Sequence, residues 1–66
     1  MLSASTTFPD WVNWIAQDED GHWWGYSVEP LQHDHGWYEN EVGRSVWLRR
    51  GEVNPAWQTS LIKLKR

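Results

Sequence analysis

The sequence predicts a mainly β domain with a minor α contribution: an antiparallel sheet of three to four strands with a short C-terminal helical turn packed on one face. Three local signals carry that expectation: the Asp18-Glu19-Asp20-Gly21 turn between two aromatic-rich segments, the β-rich Val46-Trp47-Leu48 run, and the Asn54-Pro55 helix start. Each points to a different element, and the three together describe one small layered architecture.

The chain has 66 residues and no cysteine. That length allows one small domain near the lower limit of independent stability, and no disulfide can reinforce it. Residues 1–9, rich in Ser and Thr and closed by Pro9, read as a flexible lead-in, and residues 10–66 as the domain. The first stretch lacks a basic flank and a continuous apolar run, so it predicts neither a signal peptide nor a membrane span.

Residues 12–17 form the first predicted strand and residues 22–28 the second. Asp at the start of the intervening turn and Gly21 at its end fit a type I turn followed by a bulge, Gly21 supplying a positive φ. This turn sets the register, with Ala16 opposite Trp24, Trp14 opposite Tyr26 and Val12 opposite Val28, whereas a two-residue Asp20-Gly21 turn would change these pairings. Val12, Trp14, Ala16, Trp24, Tyr26 and Val28 then share the expected core face. Asn13, Ile15, Gln17, Trp23, Gly25 and Ser27 share the outer one, where Gly25 leaves bare backbone beside Trp23. Residues 31–43, with their His-Asp-His-Gly cluster, read as mostly irregular loop. Residues 44–50 give a third strand ended by Gly51. Asn54 as N-cap and Pro55 at the first helical position start a turn or two of helix, whose Trp57 and Leu61 would form a buried stripe. The alternation of Ile62-Lys63-Leu64-Lys65-Arg66 allows either a short edge strand or a frayed tail.

Seven tryptophans, at positions 11, 14, 23, 24, 37, 47 and 57, exceed what so small a domain readily hides. A domain of this size buries only about 60% of its unfolded surface, and each large aromatic brings about 150–250 Å². Trp14, Trp24, Trp47 and Trp57 are assigned to the core. Trp11, Trp23 and Trp37 divide between core and surface and, with Gly25, are the candidate partner-binding residues.

Charge is polarised along the chain. The first 41 residues carry eight carboxylates and no Lys or Arg, a net −8; from Arg44 onward six cations face Glu52 alone, a net +5, leaving −3 overall. The halves are expected to lie together as a self-neutralising surface. The acidic surroundings of most indoles disfavour nucleic acid. His33 and His35 flank Asp34 as a metal pair could, but the ligand set is short and lacks the thiolates of closed zinc sites. No phosphate loop, nucleophile elbow or His-Glu-x-x-His pattern is present, and a shielded pocket is hard to build at this length, so neither enzymatic activity nor a cofactor is expected.

The segment Trp14-Ile15-Ala16-Gln17-Asp18-Glu19-Asp20-Gly21-His22-Trp23-Trp24-Gly25-Tyr26, followed by Gly36-Trp37-Tyr38 and by Asn54-Pro55-Ala56-Trp57-Gln58-Thr59-Ser60-Leu61, resembles small tryptophan-rich proteins encoded by bacteriophages and prophages of proteobacteria. The resemblance implies a phage or prophage origin and a place in the bacterial host cytoplasm, and it carries over no functional residue. The expected function is a non-enzymatic accessory role in which an aromatic patch binds a protein partner, one offering an apolar or proline-rich segment with basic flanks. The alternatives are a structural, self-assembling homo-oligomer and, more remotely, a metal-binding protein using the His cluster.

Overall fold

The computed structural model describes residues 8–65, so the first seven residues of the expected lead-in, and Arg66, lie outside the described residues. The fold is mainly β. Strands β1 (Trp14–Gln17), β2 (His22–Tyr26), β5 (Ser45–Arg50) and β6 (Ile62–Lys63) form a four-stranded antiparallel sheet in the order β5-β2-β1-β6. Strands β3 (Leu31–Gln32) and β4 (Trp37–Tyr38) form a separate two-stranded antiparallel ladder. The only helical turn among the described residues is a 3₁₀ turn at Trp57–Thr59.

The β1–β2 hairpin has the expected register, with Trp14 opposite Tyr26, Ile15 opposite Gly25 and Ala16 opposite Trp24. Its turn is closed by Gly21 N donating to the Asp18 carbonyl at 3.0 Å and by Asp18 N donating to the His22 carbonyl at 2.9 Å. Gly21 adopts φ +94°, and a Cβ there would fall 2.5 Å from the Gly51 carbonyl oxygen. The turn therefore needs glycine for its backbone angle and again for the passage of residues 51–53.

Three sequence expectations are corrected and one is refined. Val12 does not share the face of Trp14 and Trp24. A turn in which Val12 N donates to the Pro9 carbonyl precedes β1, breaks the alternation, and sets the Val12 methyls over Gly25 on the opposite face. That face is accordingly not bare: Gly25 is buried, and Val12 itself is fully buried. Residues 31–43 are mostly turn and irregular chain, as expected, but they also hold a two-stranded ladder that the sequence did not show, β3 and β4 pairing across a four-residue turn in which His33 N donates to the Gly36 carbonyl at 2.7 Å. The Asn54-Pro55 signal starts a turn, with Asn54 Oδ1 accepting from Ala56 N, but the turn ends before Leu61 can continue a Trp57 stripe. It ends because Ser60 Oγ accepts from Gln17 N at 2.8 Å and donates to the Gln17 carbonyl at 3.2 Å, extending the β1 edge beyond β6 with a side chain.

The C-terminal residues resolve as an edge strand: Trp14 and Ile15 pair with Lys63 and Ile62, and Leu64 N donates to the Asn13 carbonyl. The two charged halves of the chain thus lie side by side, β5 on β2 and β6 on β1. They meet through cations on indoles. The Arg44 guanidinium lies 4.2 Å from the Trp11 ring centroid and Lys63 Nζ 5.6 Å from that of Trp14, while no Lys or Arg forms an ion pair among the described residues. Burial centres on Val12, Ile15, Ala16, Tyr26 and Trp57.

Candidate functional site: an acidic aromatic recess

Residues Trp24 and Tyr26 alternate onto one face of β2, and the antiparallel pairing puts Ala16 and Ser45 beside them. The β3–β4 hairpin lies across this face. Two bonds from backbone amides hold it to the Asp18 turn: Trp37 N donates to Asp18 Oδ1 at 2.8 Å, and Glu19 N donates to the His35 carbonyl at 3.1 Å. Gly36 makes the approach possible, since a Cβ there would come within 2.7 Å of the Asp18 carboxylate. The Trp37 ring then meets Trp57 edge-on, with centroids 6.4 Å apart, which carries the cover towards β1.

Between hairpin and sheet remains a recess of about 240 Å³ lined by Asp18, Trp24, Tyr26, Trp37, Tyr38, Glu39 and Ser45. Aromatic rings make up most of its wall, and two carboxylates supply its charge. Burial pushes the Asp18 carboxyl above its ordinary value, outweighing the opposing effect of the Trp37 amide. Burial likewise raises Tyr26, and the neighbouring Asp18 and Glu39 carboxylates raise it further, so its hydroxyl stays protonated well into the alkaline range. The Trp37 Nε1 is buried without a hydrogen-bond acceptor. Tyr38 stands at the mouth, 47% exposed. A larger and more open hollow at the hairpin, about 500 Å³, is lined by His33, Gly36, Trp37 and Tyr38 and has no carboxylate in its lining.

Of the residues the sequence singled out for partner binding, the fold brings only Trp37 to this recess. Trp11 is half-buried under Arg44. Trp23 is half-buried on the opposite face, with its Nε1 against Gly51, and Gly25 is closed by Val12. Sequence reasoning did not anticipate Asp18, Tyr38 or Glu39, although the aromatic-acidic order Trp37-Tyr38-Glu39 after a Gly-ended turn was the available signal. It also placed Trp47 in the core. Trp47 is 50% exposed, because β5 is an edge strand with a bulge at Leu48 between the Trp23–Arg49 and Trp24–Trp47 pairs, and the recess lining stops at Ser45.

The histidines are engaged separately. His33 packs edge-on against Tyr38 with centroids 5.7 Å apart, His35 Nδ1 lies 3.3 Å from Glu19 Oε1, and His22 Nδ1 accepts from Trp47 Nε1 at 2.8 Å. No cluster of three or more metal-ligating side chains occurs among the described residues, and none of their helices is long and apolar enough to cross a membrane. No protein-family model matches the chain, and neither does a curated protein or a solved structure.

Proposed function

We propose that the chain is a non-enzymatic binding protein that holds a protein partner on the face carrying Trp24, Trp37, Tyr38 and Glu39. The observation that carries this reading is the recess itself: aromatic walls and two carboxylates open to solvent beside an exposed Tyr38. Apolar surface rimmed by one sign of charge suits a partner whose apolar or proline-rich segment bears flanking Lys or Arg. The resemblance to phage-encoded tryptophan-rich proteins supplies the setting of this proposal, a bacterial cytoplasm in which the partner is a host or phage protein.

The test is affinity capture with the wild type and with a Tyr38→Ser/Glu39→Lys variant. The reading expects a protein retained by the wild type, released by salt, and absent from a variant that melts as the wild type does. Equal retention by both overturns it. Sedimentation at rising concentration addresses the self-assembling alternative, which the outer edge of β5, unpaired among the described residues, favours and the adjacent Arg49 and Arg50 oppose.

A further inference from the structure

Deepening the partner reading and resting on it, we propose that the recess between the β3–β4 hairpin and the sheet receives the alkylammonium end of a lysine side chain carried by the partner. The chain already pairs cations with indoles twice within itself, Arg44 on Trp11 and Lys63 on Trp14. Among the described residues no cation lies over Trp24 or Trp37, although these two rings line the recess with Asp18 and Glu39. No Lys or Arg of the described residues forms an ion pair with either carboxylate. Aromatic faces and carboxylates converging on one concave site attract an organic cation, and partial removal from water strengthens the attraction.

The hydrogen bonds select ammonium over guanidinium. Asp18 Oδ1 already accepts from Trp37 N at 2.8 Å, and Glu39 Oε2 already accepts from Ser45 Oγ at 3.3 Å. One oxygen of each carboxylate is thus already engaged, which leaves fewer open lone pairs for the two parallel bonds of a guanidinium fork. A compact ammonium with three rotatable donors can take single acceptors from different directions, and here these are the remaining carboxylate oxygens and the Tyr26 hydroxyl. The volume of about 240 Å³ admits the methylene stem along Trp37 and Tyr38 as well as the charged head.

The experiment titrates ¹⁵N-labelled protein at pH 7.5 with n-butylammonium, using 1-butanol as the uncharged counterpart, and follows the Trp24 and Trp37 indole signals with Ile15 as an internal control. The proposal expects saturable shifts at those indoles with at least tenfold tighter binding of n-butylammonium than of 1-butanol. It also expects at least a fivefold loss in Glu39→Gln and in Tyr38→Ala, both at exposed positions and both melting as the wild type does. Equal binding of the alcohol, or no loss in either variant, overturns the cation site. Tighter binding of n-butylguanidinium or tetramethylammonium overturns the lysine assignment. If n-butylammonium binds as expected while no protein is captured, the cation site stands and the partner reading is what fails; if a protein is captured while n-butylammonium does not bind, the reverse holds.

Discussion

The two faces of the four-stranded sheet are closed by different means. On the face of Ile15, Gln17, Trp23 and Gly25 the fit is tight and the buried Gln17 amide is paired. The Val12 methyls occupy the gap over Gly25, and Gln17 Nε2 donates to the carbonyls of Gly21 at 3.1 Å and Glu52 at 2.7 Å, while Gly51 lies on Trp23. On the face of Trp24 and Tyr26 the cover is a short hairpin held at its turn, leaving a recess, a partly desolvated Asp18 and an indole N–H without an acceptor. Buried polar groups that stay unpaired cost stability, so the second face retains features that the first has eliminated. Both faces contribute to the buried core, Val12 and Ile15 on the first and Ala16, Tyr26 and Trp57 on the second, but the second also keeps a recess open to solvent.

The largest expected effect tests cohesion directly. Ile15 is fully buried, so Ile15→Ala should cost about 2–5 kcal/mol, against a total stability of about 3–10 kcal/mol for a chain of this length. Tyr38→Ala, at the mouth of the recess, should change stability by less than about 0.5 kcal/mol. Urea denaturation of both variants decides the matter. If Tyr38→Ala is the more damaging, the asymmetry between faces runs the other way.

A smaller effect sharpens how the tight face is built. A Cβ at position 25 would lie 2.9 and 3.1 Å from the two Val12 methyls, so Gly25→Ala should cost about 1–3 kcal/mol by overpacking. Val12→Ala should cost about 1–3 kcal/mol by leaving a cavity. In the double variant the new methyl enters the space the old ones left, and the combined loss should fall short of the sum by about 0.5 kcal/mol or more. Strict additivity would show that Val12 and Gly25 do not pack as a pair.

These residues also mark what was legible in the sequence. The Asp18–Gly21 turn was, since its signal lies within four residues and fixes the register of everything from Trp14 to Tyr26. The vacancy at Gly25 was legible too, but not its filler, because the Pro9–Val12 turn interrupts the alternation by which Val12 was placed. The β3–β4 hairpin escaped notice because strands of two residues are too short for a two-residue period to register. With it went the recess, whose cover is held by long-range contacts such as that of Trp37 N with Asp18 Oδ1 across 19 positions of sequence. Helix length was over-read at Asn54-Pro55 because the cap signal is local, whereas the stop, Ser60 bonding to Gln17, comes from 43 positions away.

The open face has its own pH signature. Burial raises the Asp18 carboxyl above its ordinary value of 3.8, so the folded protein holds this proton more tightly than the unfolded chain. The contribution of Asp18 to stability is therefore most favourable at low pH and is lost as pH rises from about 3.8 through the raised folded value. Asp18→Asn keeps an oxygen for Trp37 N and removes the titration. It should be at least as stable as the wild type at pH 7, with the advantage shrinking towards pH 4. Asp18→Ala also removes the acceptor and should cost about 1–3 kcal/mol at either pH. An Asp18→Asn variant with unaltered pH dependence would show that this carboxylate is solvated and the hairpin only loosely seated.

The smallest effect belongs to Trp47, which marks where the cover of the open face ends. It shares the face of Trp24 but sits on the outermost strand beyond Ser45, half-exposed, and its one polar contact is the 2.8 Å bond from Nε1 to His22 Nδ1. That bond requires His22 to carry its proton on Nε2, leaving Nδ1 to accept. Trp47→Phe preserves an aromatic surface and deletes the donor, so stability should shift by no more than about 0.5 kcal/mol, as for other exposed positions. What should change is the imidazole: ¹⁵N spectra of His22 at neutral pH should show a single Nε2–H tautomer in the wild type and a mixture in the variant. A loss above about 2 kcal/mol would instead make Trp47 part of the closed core. The open face would then end at the recess, and the edge of β5, already guarded by Arg49 and Arg50, would offer a partner nothing beyond it.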